Sequence, residues 1–169
     1  MATYKKGFKK QNSEMLLLKT IVAIILAVVA MVMIAFIYDS VTKWKNYNNY
    51  TDIGKYEDVF NLKDEEEQAI GNYVVYVYSD TCEACATIRN DLLRLANRMN
   101  KQSEVFFLLN TSKATGESDD LLETIERTQI LTPMLIVVVD GEFEEVFVSS
   151  TNVLNAIESI EKGTYEPFN

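Results

Sequence analysis

The sequence predicts an α/β domain, in which a mixed sheet is flanked by helices on both faces, preceded by one transmembrane helix. Three observations support this fold class. An uncharged apolar run from Ile21 to Tyr38 is long enough to cross a bilayer. Downstream of it, short runs of β-branched and aromatic residues alternate with segments of helical periodicity. The last two predicted strands are joined by Asp140-Gly141, a strong hairpin signal.

The N-terminal apolar segment is predicted to be a retained membrane anchor over residues 15–38. The alternative is a secretory signal peptide, whose apolar region usually has about 7–15 residues and ends in a small-x-small cleavage site. The run here is longer and ends in Ala35-Phe36-Ile37-Tyr38-Asp39, which offers no such site. We therefore favour the anchor.

The lysines on either side of the anchor predict its orientation. Five lie on the N-terminal side and two follow closely on the other: Lys5, Lys6, Lys9, Lys10 and Lys19, then Lys43 and Lys45. This bias predicts a cytoplasmic basic tail over residues 1–14 and a single-pass protein of the cell membrane. Residues 39–54 are predicted to form a polar stem, with Tyr38, Trp44 and Tyr47 as aromatic anchors at the outer interface. The domain over residues 55–169 then lies outside the cytoplasm.

Charge and composition exclude several classes of function. The chain carries a net charge of −9, and from Asp39 onward 11 basic residues face 24 acidic ones, a net charge of −13. An acidic domain repels phosphate backbones, so we expect no nucleic-acid partner. The chain contains no histidine, which excludes histidine-based acid–base catalysis, histidine metal ligands and a histidine pH switch.

The elements of the domain are predicted in order from periodicity. Helices are expected at 61–67, 82–100 and 119–128, and a closing helix is expected to bury Val153, Leu154, Ile157 and Ile160. Strands are expected at 73–78, 104–109, 134–139 and 142–148. Strands that alternate with helices favour parallel pairing, whereas the final hairpin is antiparallel.

Two cysteines occur in the chain, Cys82 and Cys85, separated by Glu83-Ala84. The loop that they close is too short to constrain the unfolded chain much, which favours reversible chemistry over a structural staple. Cys85, Ile88 and Leu92 fall on one apolar helix face, which places Cys85 inward and Cys82 nearer water. A helix N-terminus lowers a cysteine pKa and so favours the reactive thiolate.

The cysteine pair has two alternatives to redox chemistry. The C-x-x-C could be half of a zinc site, but tetrahedral zinc needs four ligands and the chain has neither further cysteine nor histidine. The cysteines could also be redox-inert. We expect neither a metal nor another cofactor.

At this point the sequence resembles the thioredoxin family. The resemblance rests on Tyr73–Cys85, on Ile130-Leu131-Thr132-Pro133 before a strand, and on Asp140-Gly141, within about 58–160. It implies a thioredoxin-like fold, a cis-proline at Pro133 facing the active-site disulfide, and a residue at Thr132 that pairs with substrate backbone.

Three positions depart from the family pattern. Thr81 stands where the family has tryptophan, Ala84 replaces proline, and Tyr76 occupies the position of a buried aspartate that helps the resolving thiol lose its proton. Glu83 is a carboxylate inside the loop, so Thr81 and Glu83 are expected to modulate the site. The chain looks like a divergent, membrane-tethered bacterial member, similar to bacteriocin-accessory thioredoxin-like proteins.

We therefore predict a membrane-tethered thiol–disulfide oxidoreductase that acts on extracytoplasmic protein thiols. The carboxylates of Glu83 and Asp80 disfavour a thiolate at Cys82 and so favour the reductase or isomerase type. Cys82 would attack, Cys85 would resolve, and Thr132 with Pro133 would hold the substrate. The expected partners are protein or peptide thiols and disulfides, a membrane redox donor and the lipid bilayer. The alternative is a non-catalytic accessory module for export or maturation of a secreted peptide.

Overall fold

The structure is a computed structural model that describes residues 13–64, 66–101 and 103–168. The chain divides into two compact units between Thr42 and Lys43.

The described residues of the first unit form one long helix. Helix α1 spans Ser13–Thr42, and its segment Met15–Tyr38, 24 residues, is long and apolar enough to cross a membrane. Its described side chains from Met15 to Tyr38 are exposed. The four lysines of the predicted cytoplasmic tail, residues 5, 6, 9 and 10, lie outside the described residues.

The described residues of the second unit form four strands and three helices. In chain order they are β1 (Tyr73–Tyr78), α2 (Glu83–Met99), β2 (Phe106–Asn110), α3 (Asp119–Thr124), β3 (Met134–Val139), β4 (Glu142–Val148) and α4 (Ser150–Glu161). Short 3-10 turns occur at Lys43–Lys45, Tyr47–Asn49 and Glu166–Phe168. Asp140 and Gly141 both have positive φ, at 53° and 81°, which a two-residue hairpin of type I′ requires.

The sheet has the strand order β2-β1-β3-β4. β1 is parallel to β2 and antiparallel to β3, and β3 is antiparallel to β4. All six residues of β1 are buried, because helices and loops cover both faces of this central strand. The predicted mixed sheet flanked by helices is therefore confirmed.

The two faces of the sheet hold separate hydrophobic clusters. α2 and α4 cover one face, where Val74, Tyr76 and Tyr78 point inward with Cys85. α3 and the loops before β1 cover the other face, against alternate β1 residues such as Val75. This alternation follows from the two-residue period of a strand.

The expectation of parallel pairing is wrong for β3. The register pairs Val77 near the end of β1 with Met134 at the start of β3, so the chain leaves β2 and enters β3 at the same edge of the sheet. α3 has six residues and rises about 9 Å, roughly half the length of a six-residue strand. A helix this short does not return the chain along the sheet, as a parallel crossover requires.

The helix predicted at 61–67 is also wrong. Lys63 and Ala69 form an antiparallel bridge instead, and Glu65 lies outside the described residues. The Asp64 side chain accepts hydrogen bonds from the backbone N–H groups of Glu66 and Gln68, at 3.0 and 2.8 Å. Aspartate that bonds to nearby backbone favours turns over helix, and this effect outweighs the acidic helix-start pattern.

The segment predicted as a polar stem packs on the domain from Trp44 onward. Tyr47 stacks on Tyr78 at a ring-centroid distance of 4.3 Å, and the Tyr50 hydroxyl donates to the Leu93 carbonyl oxygen at 2.8 Å. Trp44 and Tyr47 are half-buried and pack against the hydrophobic cluster beneath α2. Farther on, the backbone of Thr51 and Ile53 pairs with Leu108 and extends the sheet at the β2 edge.

Candidate functional site

The two cysteines form a disulfide at the start of α2. Their Cα atoms are 5.2 Å apart. Cys82 is the N-cap residue, and its Sγ accepts a hydrogen bond from the Cys85 N–H at 3.0 Å. A sulfur at a helix N-terminus lies at the positive end of the helix dipole, which favours negative charge on it.

The two sulfurs differ in exposure, as the helical periodicity predicts. Cys82 is half-buried, whereas Cys85 is 2% exposed and belongs to the cluster beneath α2. Ile88 and Leu92 continue the buried face along the helix. The sequence thus builds an asymmetric pair, with one sulfur accessible to solvent and one in the core.

The turn before Cys82 is fixed by backbone hydrogen bonds. β1 ends at Tyr78, the Cys82 N–H donates to the Ser79 carbonyl oxygen at 3.1 Å, and the Cys82 carbonyl oxygen accepts from Ala86 to begin the helix. Thr81 and Glu83, the predicted modulating residues, are both exposed and flank Cys82. Glu83 lies in the first turn of α2.

A polar network joins this turn to the end of β2. The Asn110 side chain is 1% exposed. Among the described residues, Asn110 is the polar residue that is buried. Its Nδ2 donates to Asp80 Oδ1 at 2.9 Å, and its Oδ1 accepts from the Ser112 N–H at 3.0 Å. Asn110 was not among the residues predicted from the sequence. The available signal was a polar residue that ends an apolar strand, since the carboxyl ends of neighbouring parallel strands meet at one edge.

Three tyrosines lie in the core beside α2. The rings of Tyr76 and Tyr78 stack at 5.9 Å, and the Arg89 guanidinium lies 6.0 Å from the centroid of the Tyr47 ring. The hydroxyls of Tyr47 and Tyr76 are buried and neither makes a well-formed hydrogen bond, although each affects the pKa of the other. Burial raises the pKa of both, and it raises the pKa of Tyr78 to about 12. These phenols therefore stay protonated near neutral pH.

Thr132 and Pro133 lie at the same edge of the sheet as the disulfide. The peptide bond between them is cis, and Pro133 directly precedes Met134, which pairs with Val77 near the end of β1. Pro133 is buried and Thr132 is half-buried. The Pro133 carbonyl oxygen accepts from the Ser149 N–H at 3.2 Å. The antiparallel register thus brings this dipeptide to the edge from which α2 begins.

The residues that the structure describes contain no group of three or more Cys, Asp or Glu side chains arranged to hold a metal ion. The chemical groups at this edge are the two sulfurs, the exposed carboxylates of Asp80 and Glu83, and the hydroxyls around Ser79.

No family model and no curated protein sequence matches the chain. Solved structures do match. One, from a study of the thiol resolving mechanism in yeast mitochondrial 1-Cys peroxiredoxin, is 16% identical, with a TM-score of 0.50 over 69% of this chain and 97% of that chain.

Two thioredoxin structures are also similar. Mitochondrial thioredoxin 3 from Saccharomyces cerevisiae, in its oxidized form, is 17% identical over 69% of this chain and 97% of that chain, with a TM-score of 0.49. Thioredoxin from Trypanosoma brucei brucei is 15% identical over 69% and 95%, with a TM-score of 0.48.

The strand order, the position of the C-x-x-C and the first of these similarities define the fold class. The second unit of this chain has a thioredoxin-like fold, with the disulfide at the N-terminus of the helix that follows the central strand. At 16% identity this similarity shows the fold alone.

Proposed function

We propose that this protein is a dithiol–disulfide oxidoreductase that acts on protein or peptide thiols through Cys82 and Cys85. The observation that carries the proposal is the asymmetry of the pair. A half-buried N-cap sulfur is suited to attack a partner, because it is accessible and lies at the helix dipole. A core-facing sulfur 2% exposed is suited to resolve the intermediate without reacting with solutes.

The proposed reaction balances as two thiol–disulfide exchanges. The Cys82 thiolate attacks one sulfur of a substrate disulfide, which forms a mixed disulfide and releases the other substrate sulfur as a thiol. The Cys85 thiolate then attacks the Cys82 sulfur, which forms the Cys82–Cys85 disulfide and releases the second substrate thiol. Two electrons pass to the substrate, and an external dithiol, proposed to be a membrane donor, is needed to reduce the pair again.

Thr132 and Pro133 are proposed to hold the substrate segment. They lie at the edge of the sheet where α2 begins, and Thr132 retains exposed surface beside the exposed Leu131. The half-buried position of Thr132 would let its backbone pair with an extended peptide while Cys82 attacks. Thr81 and Glu83, exposed on either side of Cys82, are proposed to modulate the reaction.

The proposed setting is a membrane, with the domain outside the cytoplasm. α1 provides a segment of sufficient length and apolarity, and the lysine bias of the sequence favours a cytoplasmic N-terminal side. The substrates would then be extracytoplasmic protein thiols.

The electrostatics of the loop favour a reductase or isomerase over an oxidase. Glu83 and Asp80 are carboxylates next to Cys82 in sequence, and a nearby carboxylate disfavours a second negative charge on sulfur. We expect the potential of the pair to lie closer to about −270 mV, as in thioredoxin, than to about −120 mV, as in a strong oxidant.

A second candidate function is a non-catalytic accessory module for export or maturation of a secreted peptide. One observation favours it. Tyr76, whose hydroxyl stays protonated, occupies the core position for which the family resemblance implies a carboxylate, so proton removal from Cys85 has less help. A binding module would keep the fold without turnover.

Trapping distinguishes the two functions. In cells that express the full chain, Cys85→Ser should accumulate Cys82 in mixed disulfides, seen as adducts on a non-reducing gel that disappear on reduction. Cys82→Ser is the matched control and should accumulate none above background. Equal adduct levels in the two variants would contradict the oxidoreductase and leave the accessory module.

A further inference from the structure

Asn110 is a buried polar residue at the end of β2. It pairs with Tyr78, the last residue of β1. The preceding β2 residues are Phe106, Phe107, Leu108 and Leu109, all buried and apolar. An amide at the end of this row is expensive to bury unless its polar atoms are bonded. A leucine at this position would pack in the core equally well, so the amide indicates a role that requires hydrogen bonds.

The hydrogen-bond partners of the Asn110 amide indicate what this role is. Nδ2 donates to Asp80 Oδ1 at 2.9 Å, and Oδ1 accepts from the Ser112 N–H at 3.0 Å. Ser112 in turn returns to the same loop, because its Oγ accepts from the Asp80 N–H at 3.0 Å and lies 3.2 Å from Ser79 Oγ. Ser79 then accepts from the Cys82 N–H through its carbonyl oxygen at 3.1 Å.

These hydrogen bonds link the buried Asn110 side chain to Cys82, the residue that caps α2. Asp80 is held through both its carboxylate and its backbone, and Ser79 through its hydroxyl. The Asp80 carboxylate also forms an ion pair with the Lys113 ammonium at 3.8 Å. Both side chains are at least half exposed, so this pair is weak. The buried amide is therefore the main support of the Asp80 carboxylate.

We propose that Asn110 is a positioning residue of the redox site, which fixes the turn over residues 79–82 through Asp80 and Ser112 and so holds Cys82 as the cap of α2. The inference rests on the proposed function, in which Cys82 is the attacking sulfur. Without the amide, the Asp80 carboxylate loses its buried partner and the turn gains freedom. Cys82 would then leave the N-cap geometry for part of the time, and its thiolate would lose the stabilisation of the helix N-terminus.

The test measures the pH profile of Cys82 alkylation in the full chain, reduced and held in detergent micelles, in a Cys85→Ala background. Asn110→Leu removes both amide bonds and keeps a buried side chain of similar size. The rate at neutral pH should fall by up to roughly threefold, because the loss of thiolate is partly offset by the higher nucleophilicity of a less acidic thiolate. The midpoint of the profile should move to higher pH.

Asn100→Leu is the matched control. Asn100 caps the far end of α2, and its Oδ1 accepts from the Val105 and Phe106 N–H groups at 3.1 and 2.9 Å. It is thus a second asparagine that joins α2 to β2, at the end remote from the cysteines. Its loss should lower stability to thermal unfolding and leave the Cys82 profile unchanged.

A second variant covers the case in which Asn110→Leu fails to fold. Ser112→Ala is at an exposed position and removes the bonds to Asp80 N–H and Ser79, so it should shift the midpoint in the same direction by a smaller amount. An unchanged midpoint in every folded variant of Asn110 or Ser112 overturns the inference.

Failure of the inference and failure of the proposed function give different results. If Cys85→Ser still traps substrates while the Asn110 and Ser112 profiles match the parent, Asn110 is a structural residue of a working enzyme. If the profiles shift but Cys85→Ser traps nothing, the positioning role stands and the oxidoreductase proposal falls.

Discussion

The arrangement of the site predicts that the sulfurs of Cys82 and Cys85 differ in reactivity. The perturbation is removal of one cysteine at a time from the full chain: Cys85→Ala leaves Cys82, and Cys82→Ala leaves Cys85. Single-cysteine variants are needed because the two residues lie three apart and share a tryptic peptide. The reduced proteins are treated with iodoacetamide at pH 7, and the rate of adduct formation is followed by intact-mass spectrometry.

The magnitude has two parts, thiolate fraction and access. At pH 7 a thiol with the ordinary pKa of about 8.5 is about 3% ionised, whereas one of pKa about 7 is about half ionised, a ratio of roughly fifteen. The more acidic thiolate is the weaker nucleophile, and a Brønsted slope of about 0.4–0.5 reduces this advantage to roughly threefold. Ionisation alone therefore gives Cys82 a small lead.

Access supplies the larger part. Cys85 is 2% exposed, so the reagent reaches it only when α2 locally opens from the sheet. An opening free energy of about 1.4 kcal/mol slows the reaction about tenfold, and openings of packed helices commonly require more. We expect Cys82 to react at least about thirtyfold faster than Cys85, by multiplying these two estimates.

The control is the same pair of variants in denaturant. Unfolding removes both the helix N-terminus and the burial, so the two rates should then agree within about twofold. Equal rates in the folded proteins, or a faster Cys85, would show that the helix register is wrong and that the assignment of attacking and resolving sulfurs fails.

Three further predictions test the electrostatics and the setting. Glu83→Gln removes an exposed carboxylate beside Cys82, so the midpoint of the Cys82 alkylation profile should fall by a few tenths of a unit, and an unchanged midpoint would show that Glu83 does not tune the site. Burial raises the pKa of Tyr50 and of Tyr78 to about 12; since the unfolded state then loses protons first, stability should hold below pH about 10 and decline above it. Thermal melts at increasing pH check this, and a flat profile to pH about 12 would contradict the burial of these phenols. Finally, a membrane-impermeant thiol reagent should label Cys82 on intact cells after mild reduction, and labelling seen only after lysis would reverse the predicted orientation.

Local patterns predicted the elements that carry the cysteines and the hairpin. β1, β3 and β4 have the predicted bounds, Tyr73–Tyr78, Met134–Val139 and Glu142–Val148, because unbroken apolar runs and a two-residue turn are strong signals. The inward face of α2 was also correct, since Cys85, Ile88 and Leu92 repeat at helical spacing.

The parts that were wrong or missed depend on contacts between distant segments. The 44–50 segment is rich in asparagine and tyrosine, which looks like a polar stem, yet Tyr47 reaches Tyr78 and Tyr50 reaches Leu93. Nothing local marks a tyrosine as core when its partner is about 30 or 40 residues away. Asn110 has one local signal, as a polar residue that ends an apolar strand, but its partner Asp80 belongs to another strand's loop.

The charged groups near the cysteine pair lie at the surface of the domain. Tyr47 and Tyr76 present neutral hydroxyls to the cluster that contains Cys85, and burial keeps the pKa of both above the ordinary value. A phenol of this kind neither repels a thiolate nor takes its proton at neutral pH. The carboxylates nearest in sequence to Cys82, those of Asp80 and Glu83, are exposed and are screened by water and salt. Their effect therefore depends on how firmly the turn is held, which is why substitution of Asn110 is a sharper probe of the site than substitution of the core tyrosines.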